Sequence, residues 1–214
     1  MKSMLLLFLI ILSQSVFAAA NTANLAEQIK QLQSQWAIAN YQTSEDKTEA
    51  VFELLTRQAQ QVLKDNPDKA EALIWNAIIV SSDAGKNGGL SALGKVKQAR
   101  DLLLQAEKIN PTALNGSIYT SLGSLYYKVP GWPLGFGDDE QAEKYLKKAL
   151  SLNPTGIDAN YFYADYLFEQ EKYKLSLEYF NKALAAQPRA NRPVADAGRR
   201  NEIKKKLQQL EANI

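Results

Sequence analysis

The chain has 214 residues, 46% apolar and 22% Asp, Glu, Lys or Arg, which is the balance of one globular domain and not of a disordered chain. Its formal net charge of +2 is too small for a phosphate-tracking surface, so nucleic acid is not an expected partner. With no histidine and no cysteine it lacks an imidazole base, a thiolate nucleophile, soft metal ligands and any disulfide. Carboxylate pairs remain chemically possible, but no spacing points to one, so a non-enzyme without cofactor or metal is expected.

Residues 1–20 read as a signal peptide. Lys2 gives a basic start, Met4 to Leu12 is an unbroken apolar run, and Val16-Phe17-Ala18 and Ala18-Ala19-Ala20 offer small residues for cleavage after Ala18 or Ala20. As a helix that run spans about 14 Å, well short of the roughly 30 Å hydrocarbon layer, so a membrane anchor is disfavoured. The segment resembles a bacterial Sec signal, which implies the periplasm. A single domain over 21–214 follows, with no later run long enough to be an integral membrane segment.

Along that domain, helices are predicted at 24–41, 47–65, 69–83, 93–109, 112–128, 139–151, 156–170, 173–186 and 195–211. No stretch alternates over enough residues to demand a strand. Asn-Pro recurs at Asn66-Pro67, Asn110-Pro111 and Asn153-Pro154, and Gln187-Pro188 completes the series. Each proline follows an amphipathic run; lacking an N–H and restraining the residue before it, proline ends one helix and admits the next. The prolines are spaced 44, 43 and 34 residues apart, so the first two intervals carry insertions.

The second helix of each unit shows Ala99-x3-Leu103-x2-Ala106, Ala142-x3-Leu146-x2-Ala149 and Ser176-x3-Phe180-x2-Ala183, with proline five residues beyond each. Small residues permit a close helix crossing, and the bulky residue four later fills the space beside it. Tyr119-x2-Leu122-Gly123-x2-Tyr126 and, more loosely, Tyr163-Ala164-x2-Leu167 occupy the first helices. On these motifs the chain resembles the tetratricopeptide repeat family. The resemblance implies an all-α, right-handed superhelical solenoid of about four helical hairpins, with a capping helix at 195–211.

It also implies a concave groove lined by the first helices. The family's groove positions fall on Asp158, Tyr161, Asp165 and Phe168 in the last repeat, and on Ser117, Thr120, Ser124 and Tyr127 in the one before. Such a groove suits an extended peptide. Asp158 and Asp165 are about 10 Å apart along one helix side, which fits amide recognition or a solvated face better than a metal or hydrolytic pair.

The first insertion, 82–91, has three glycines and reads as a flexible loop. The second, 129–138, contains two prolines, three glycines and the large apolar residues Trp132, Leu134 and Phe136. Those side chains either fold back to plug a gap or form a wall of a binding site, and different faces of the loop can do both. Arg189, Arg192, Arg199 and Arg200 with Lys204 to Lys206 make a cationic corner, read as a solubilising end or as a dock for an acidic protein or an anionic membrane surface. The leading expectation is a protein- or peptide-binding adaptor of the bacterial envelope. In architecture the chain is also similar to helical periplasmic components associated with tripartite solute transporters. That likeness implies the alternative, a small apolar ligand under loops that cover the groove.

Overall fold

The computed structural model describes residues 24–89 and 91–211; the expected signal peptide lies outside them. The described chain is all-helical: α1 (24–41), α2 (Glu45–Asp65), α3 (Ala70–Asn87), α4 (Ala92–Ile109), α5 (Ser117–Lys128), α6 (Asp139–Leu152), α7 (Ile157–Glu169), α8 (Tyr173–Leu184) and α9 (Pro193–Glu211). Successive pairs form four antiparallel hairpins, and α9 follows the last. The sole β feature among the described residues is an isolated bridge between Gly131 and Gly137.

Helices end where the Asn-Pro pairs predict. Asn66, Asn110 and Asn153 close α2, α4 and α6, each donating its N–H back to the last turn. The asparagine side chains tie the turns further: Asn66 Nδ2 donates to the Val62 carbonyl at 2.9 Å, and Asn110 Oδ1 accepts from Thr112 N at 3.1 Å. α6 starts on Asp138, whose carboxylate accepts from Gln141 N at 3.0 Å, with Asp139 and Glu140 in its first turn.

Ala99, Ala142 and Ser176 are completely buried, as are Phe180, Leu146, Ala106, Ala149 and Ala183. The hairpins cross at these small residues. A methyl group on Gly123 would meet Leu146 Cγ at 2.5 Å, so the Leu122-Gly123 pair is what lets α5 approach α6. Ser176 hides its hydroxyl in the crossing by donating to the Ala164 carbonyl at 2.8 Å. At the first hairpin, Trp36 donates from Nε1 to Ser82 Oγ at 2.8 Å and meets the edge of Trp75 at 6.0 Å. Around Trp75 the sequence supports two registers because α3 is buried on nearly every side, from Ala72 through Ala77 and again at Ile79 and Val80.

Two boundaries differ from expectation. Residues 82–87, read as part of a flexible loop, continue α3. Asp83 is buried there, paired with Lys95 Nζ at 2.7 Å and accepting from Asn87 Nδ2 at 2.6 Å, so α4 holds the extra turn down. The chain reverses only at Gly88 and Gly89, whose φ of 58° and 75° suit glycine. Likewise α5 starts at Ser117 and not at 112, because Leu114, Asn115 and Gly116 turn left-handed with φ of 50°, 52° and 84°. Leu114 packs in that turn against the apolar clusters of both the first hairpin and the middle of the molecule, which holds it in a conformation unfavourable to a side-chain-bearing residue.

Candidate functional site

The four groove residues of α7 are gathered on one side of the helix, and α9 lies along that side. Asp158 accepts from Arg189 Nη1 at 2.9 Å and from Arg199 Nε at 3.0 Å. The Arg199 guanidinium stacks 4.1 Å from the Tyr161 ring centre. Two turns further along, Lys206 Nζ reaches Asp165 Oδ1 at 2.8 Å and sits 4.4 Å from the Phe168 ring. Tyr127 completes the set by donating to Asp165 Oδ2 at 2.8 Å, beside Lys128 at 2.8 Å.

The result is a parallel pair of helices locked by two ion pairs in step. Asp158 and Asp165 are seven residues apart on α7, and Arg199 and Lys206 are seven apart on α9. Burial pushes the Asp158 carboxyl up, but Arg199 and Arg189 outweigh it and bring it down to about 2. At Asp165 burial is likewise opposed and overcome, here by Lys128 and Lys206, so that carboxyl also titrates below its ordinary range. Burial, reinforced by the Asp165 charge, raises the Tyr127 phenol well above normal and keeps it a proton donor. Tyr161 is only 8% exposed and Asp165 only 2%. An open trough at these residues was the expectation; the chain's own α9 occupies that surface instead.

α9 is more than a cap with one apolar stripe. Ile203 and Leu210 pack on the last hairpin with Phe180 and Ala183, while Ala195 joins the cluster formed by α1, α2 and α3. Gly198 lies flat on the Tyr41 ring of α1, too close for any Cβ. Tyr41 also donates from its hydroxyl to Glu202 Oε2 at 3.3 Å, and Glu202 pairs with Arg199 at 2.5 Å. Arg192, placed by the sequence in a cationic corner, is turned onto Trp75 of α3, with Cζ 5.1 Å from the ring. Its buried Nε finds no hydrogen-bond partner among the described residues, and burial together with the like charge of Arg189 lowers its pKa. Arg189 binds Asp158 and Asp196, and Arg200 donates to the Leu184 and Ala186 carbonyls, so this corner is largely an internal network.

The loop 129–138 divides its three apolar residues between inside and outside. Phe136 packs edge-on against Tyr126 at 5.6 Å and carries the Arg100 guanidinium 4.5 Å from its ring centre. Trp132 and Leu134 point to solvent, 89% and 71% exposed. Backbone bonds brace the loop: Gly137 N to Pro130 O at 3.0 Å, Leu134 N and Gly135 N to Gly131 O at 3.1 Å, and Asp138 N to Tyr126 O at 2.9 Å. Gly135 and Gly137 press so closely on Pro130 and Val129 that neither could carry a side chain. Of the two roles weighed for this loop, Phe136 takes the structural one, while Trp132 and Leu134 take no part in the core.

Sequence reasoning missed Tyr41, Gly198, Arg199 and Lys206 as partners of the groove residues. The matching seven-residue steps of acid and base on 158/165 and 199/206 were the signal that could have found them. Among the described residues no group of three or more Asp or Glu could hold a metal ion, and no helix is long and apolar enough to cross a membrane.

Residues 134–191 match the tetratricopeptide repeat family model. No curated protein matches the chain. Among solved structures, a thermophilic TPR protein of Thermus thermophilus is similar at 20% identity, over 74% of this chain and 92% of that one, with a TM-score of 0.45. The MamA protein is similar at 18% identity, over 85% of this chain and 91% of that one, also with a TM-score of 0.45. The match to the tetratricopeptide repeat model thus covers Leu134 to Asn191, and the described helices of the chain form a TPR-like solenoid.

Proposed function

We propose that this protein is a non-catalytic scaffold that binds another protein in the bacterial periplasm after removal of residues 1–20. The observation that carries the reading is a helical-repeat frame that holds Trp132 and Leu134 in solvent on a braced loop. Large apolar side chains are costly to leave in water unless another surface covers them. The groove of α7, filled by α9, offers no comparable free surface, which moves the expected contact from Tyr161 and Asp165 to the outside of the solenoid.

Two measurements test this. The mature mass from an envelope fraction should correspond to cleavage after Ala18 or Ala20; recovery of full-length protein from the cytosol would end the periplasmic reading. Photoreactive residues at the exposed positions Ile38, Leu54, Ile109 and Leu134, placed one at a time in producing cells, should yield a reproducible protein adduct from at least one. Silence at all four would end the scaffold reading.

A second reading rests on one groove of about 690 Å³, lined by Leu25, Ile29, Ile109 and Leu114 together with the charged Lys30, Asp68, Lys69 and Glu71. Its volume suits a small, mainly apolar ligand. It lies away from 129–138, so this ligand would not sit beneath that loop. Native mass spectrometry of gently purified protein should show a retained mass if the reading holds; Ile109→Asp, at an exposed lining position, should then abolish it.

A further inference from the structure

The loop that carries Trp132 packs Phe136 inward while holding Trp132 and Leu134 in solvent. Of the three large apolar residues of the loop only Phe136 turns in, clamped between Tyr126 and Arg100, and this anchor, with the backbone bonds across the neck of the loop, fixes the tip 130–134 as a unit. Pro130, Gly131, Trp132, Pro133 and Leu134 are all exposed, and none is charged. Restricting the tip in advance removes much of the ordering cost that a flexible apolar loop would incur on binding.

The charges around the tip decide what it can meet. On one side, Lys128 is engaged by Asp165 at 2.8 Å and by Glu169 at 3.4 Å, so its charge is answered within the molecule. Arg100, behind Phe136, is paired with Asp101 at 2.8 Å. On the other side stand Asp138, Asp139 and Glu140, all exposed and none in an ion pair among the described residues. Three exposed carboxylates, one of them the N-cap of α6, thus stand at the base of the tip before the first cation of that helix, Lys144, is reached. An anionic bilayer would repel this base as the tip approached, whereas a protein pocket with cationic residues at its edge would attract it.

Building on the scaffold reading above, we propose that Trp132 and Leu134 insert into an apolar pocket of a partner protein whose rim is basic, with Asp139 and Glu140 meeting that rim. Trp132 is the anchor: it offers the largest rigid apolar surface of the tip, and side chains of this kind dominate interface energetics. The acidic residues set encounter rate and orientation more than final affinity.

The experiment uses the full chain in producing cells with p-benzoylphenylalanine at Leu134, and in a parallel strain at Leu54 on α2. The protein captured from position 134 is identified, purified and titrated against the wild-type chain. Trp36 and Trp75 are buried and contribute a constant background, so Trp132 is identified as the source of a shift by its absence in Trp132→Ala. The expected result is a blue shift on binding, a loss of affinity of about tenfold or more for Trp132→Ala, and a several-fold loss for Asp139→Lys with Glu140→Lys that shrinks as salt is raised. Circular dichroism of both variants should match wild type.

Capture of lipid or of a second copy of this chain at position 134 would overturn the proposal. So would a Trp132 blue shift on phosphatidylglycerol vesicles, or a captured partner whose affinity neither variant changes. An adduct from position 54 with none from 134 would sink the tip while leaving the scaffold reading intact; no adduct from any exposed position would sink both.

Discussion

Single side chains decide how α9 seats. Gly198 is required because the Tyr41 ring occupies the place where any Cβ would stand. Gly198→Ala should lower stability by about 1–3 kcal/mol, the usual cost of forcing extra volume into a packed contact, and urea unfolding of the pair of proteins measures it. Asp158 gives a pH dependence. Its folded-state pKa of about 2 is below the unfolded value of about 3.9, so its contribution is full above about pH 4 and disappears as pH falls towards 2. Asp158→Asn should therefore be much less stable than wild type at neutral pH, with the gap closing between about pH 4 and pH 2. An unchanging gap across that window would mean that Arg189 and Arg199 do not hold the carboxylate as the structure places them.

At the scale of elements, the loop 129–138 separates two roles that the sequence left open. Phe136→Ala should cost about 1 kcal/mol through the lost contact with Tyr126 and should loosen the tip, seen as faster amide exchange at Leu134 and Gly135. Trp132→Ala should leave stability within about 0.5 kcal/mol of wild type, since that ring stands in solvent. Most helices were legible from the chain alone. The Asn-Pro pairs are local signals, and the small residues Ala99, Ala142 and Ser176 recur at fixed offsets from a bulky one, so α4, α6 and α8 follow from the pattern. Two boundary errors trace to tertiary contacts that a local reading does not show. The stretch 82–91 reads as a loop, yet the Asp83–Lys95 pair keeps its first part, as far as Asn87, helical. The left-handed turn at Leu114 has no sequence mark beyond Asn115-Gly116, because what stabilises it is packing from two separate clusters.

Across the whole molecule, the groove residues were legible as a set but their environment was not. Family spacing brings Asp158, Tyr161, Asp165, Phe168 and Tyr127 to one side of the solenoid, and nothing local says that residues 199 and 206 will cover them. α9 hides its destination further, since buried positions such as Ala195, Gly198, Ile203 and Leu210 lie on more than one side and leave no clean stripe. A variant stopping after Pro188 should lose cooperative thermal unfolding and become sensitive to protease, because Tyr41, Trp75, Asp158 and Asp165 would all lose partners together; an unchanged melting transition would show α9 to be dispensable. The Tyr41–Glu202 bond spans 161 positions. Open helical arrays can fray one unit at a time from either end, but here α9 clasps the first hairpin to the last, so loosening either end opens the seam between them. The same clasp bears on synthesis: hairpins formed as far as α8 already give Asp165 its Lys128, but Asp158 still lacks Arg189 and Arg199, and the Tyr161 ring still lacks its guanidinium, until residues 189–199 are made.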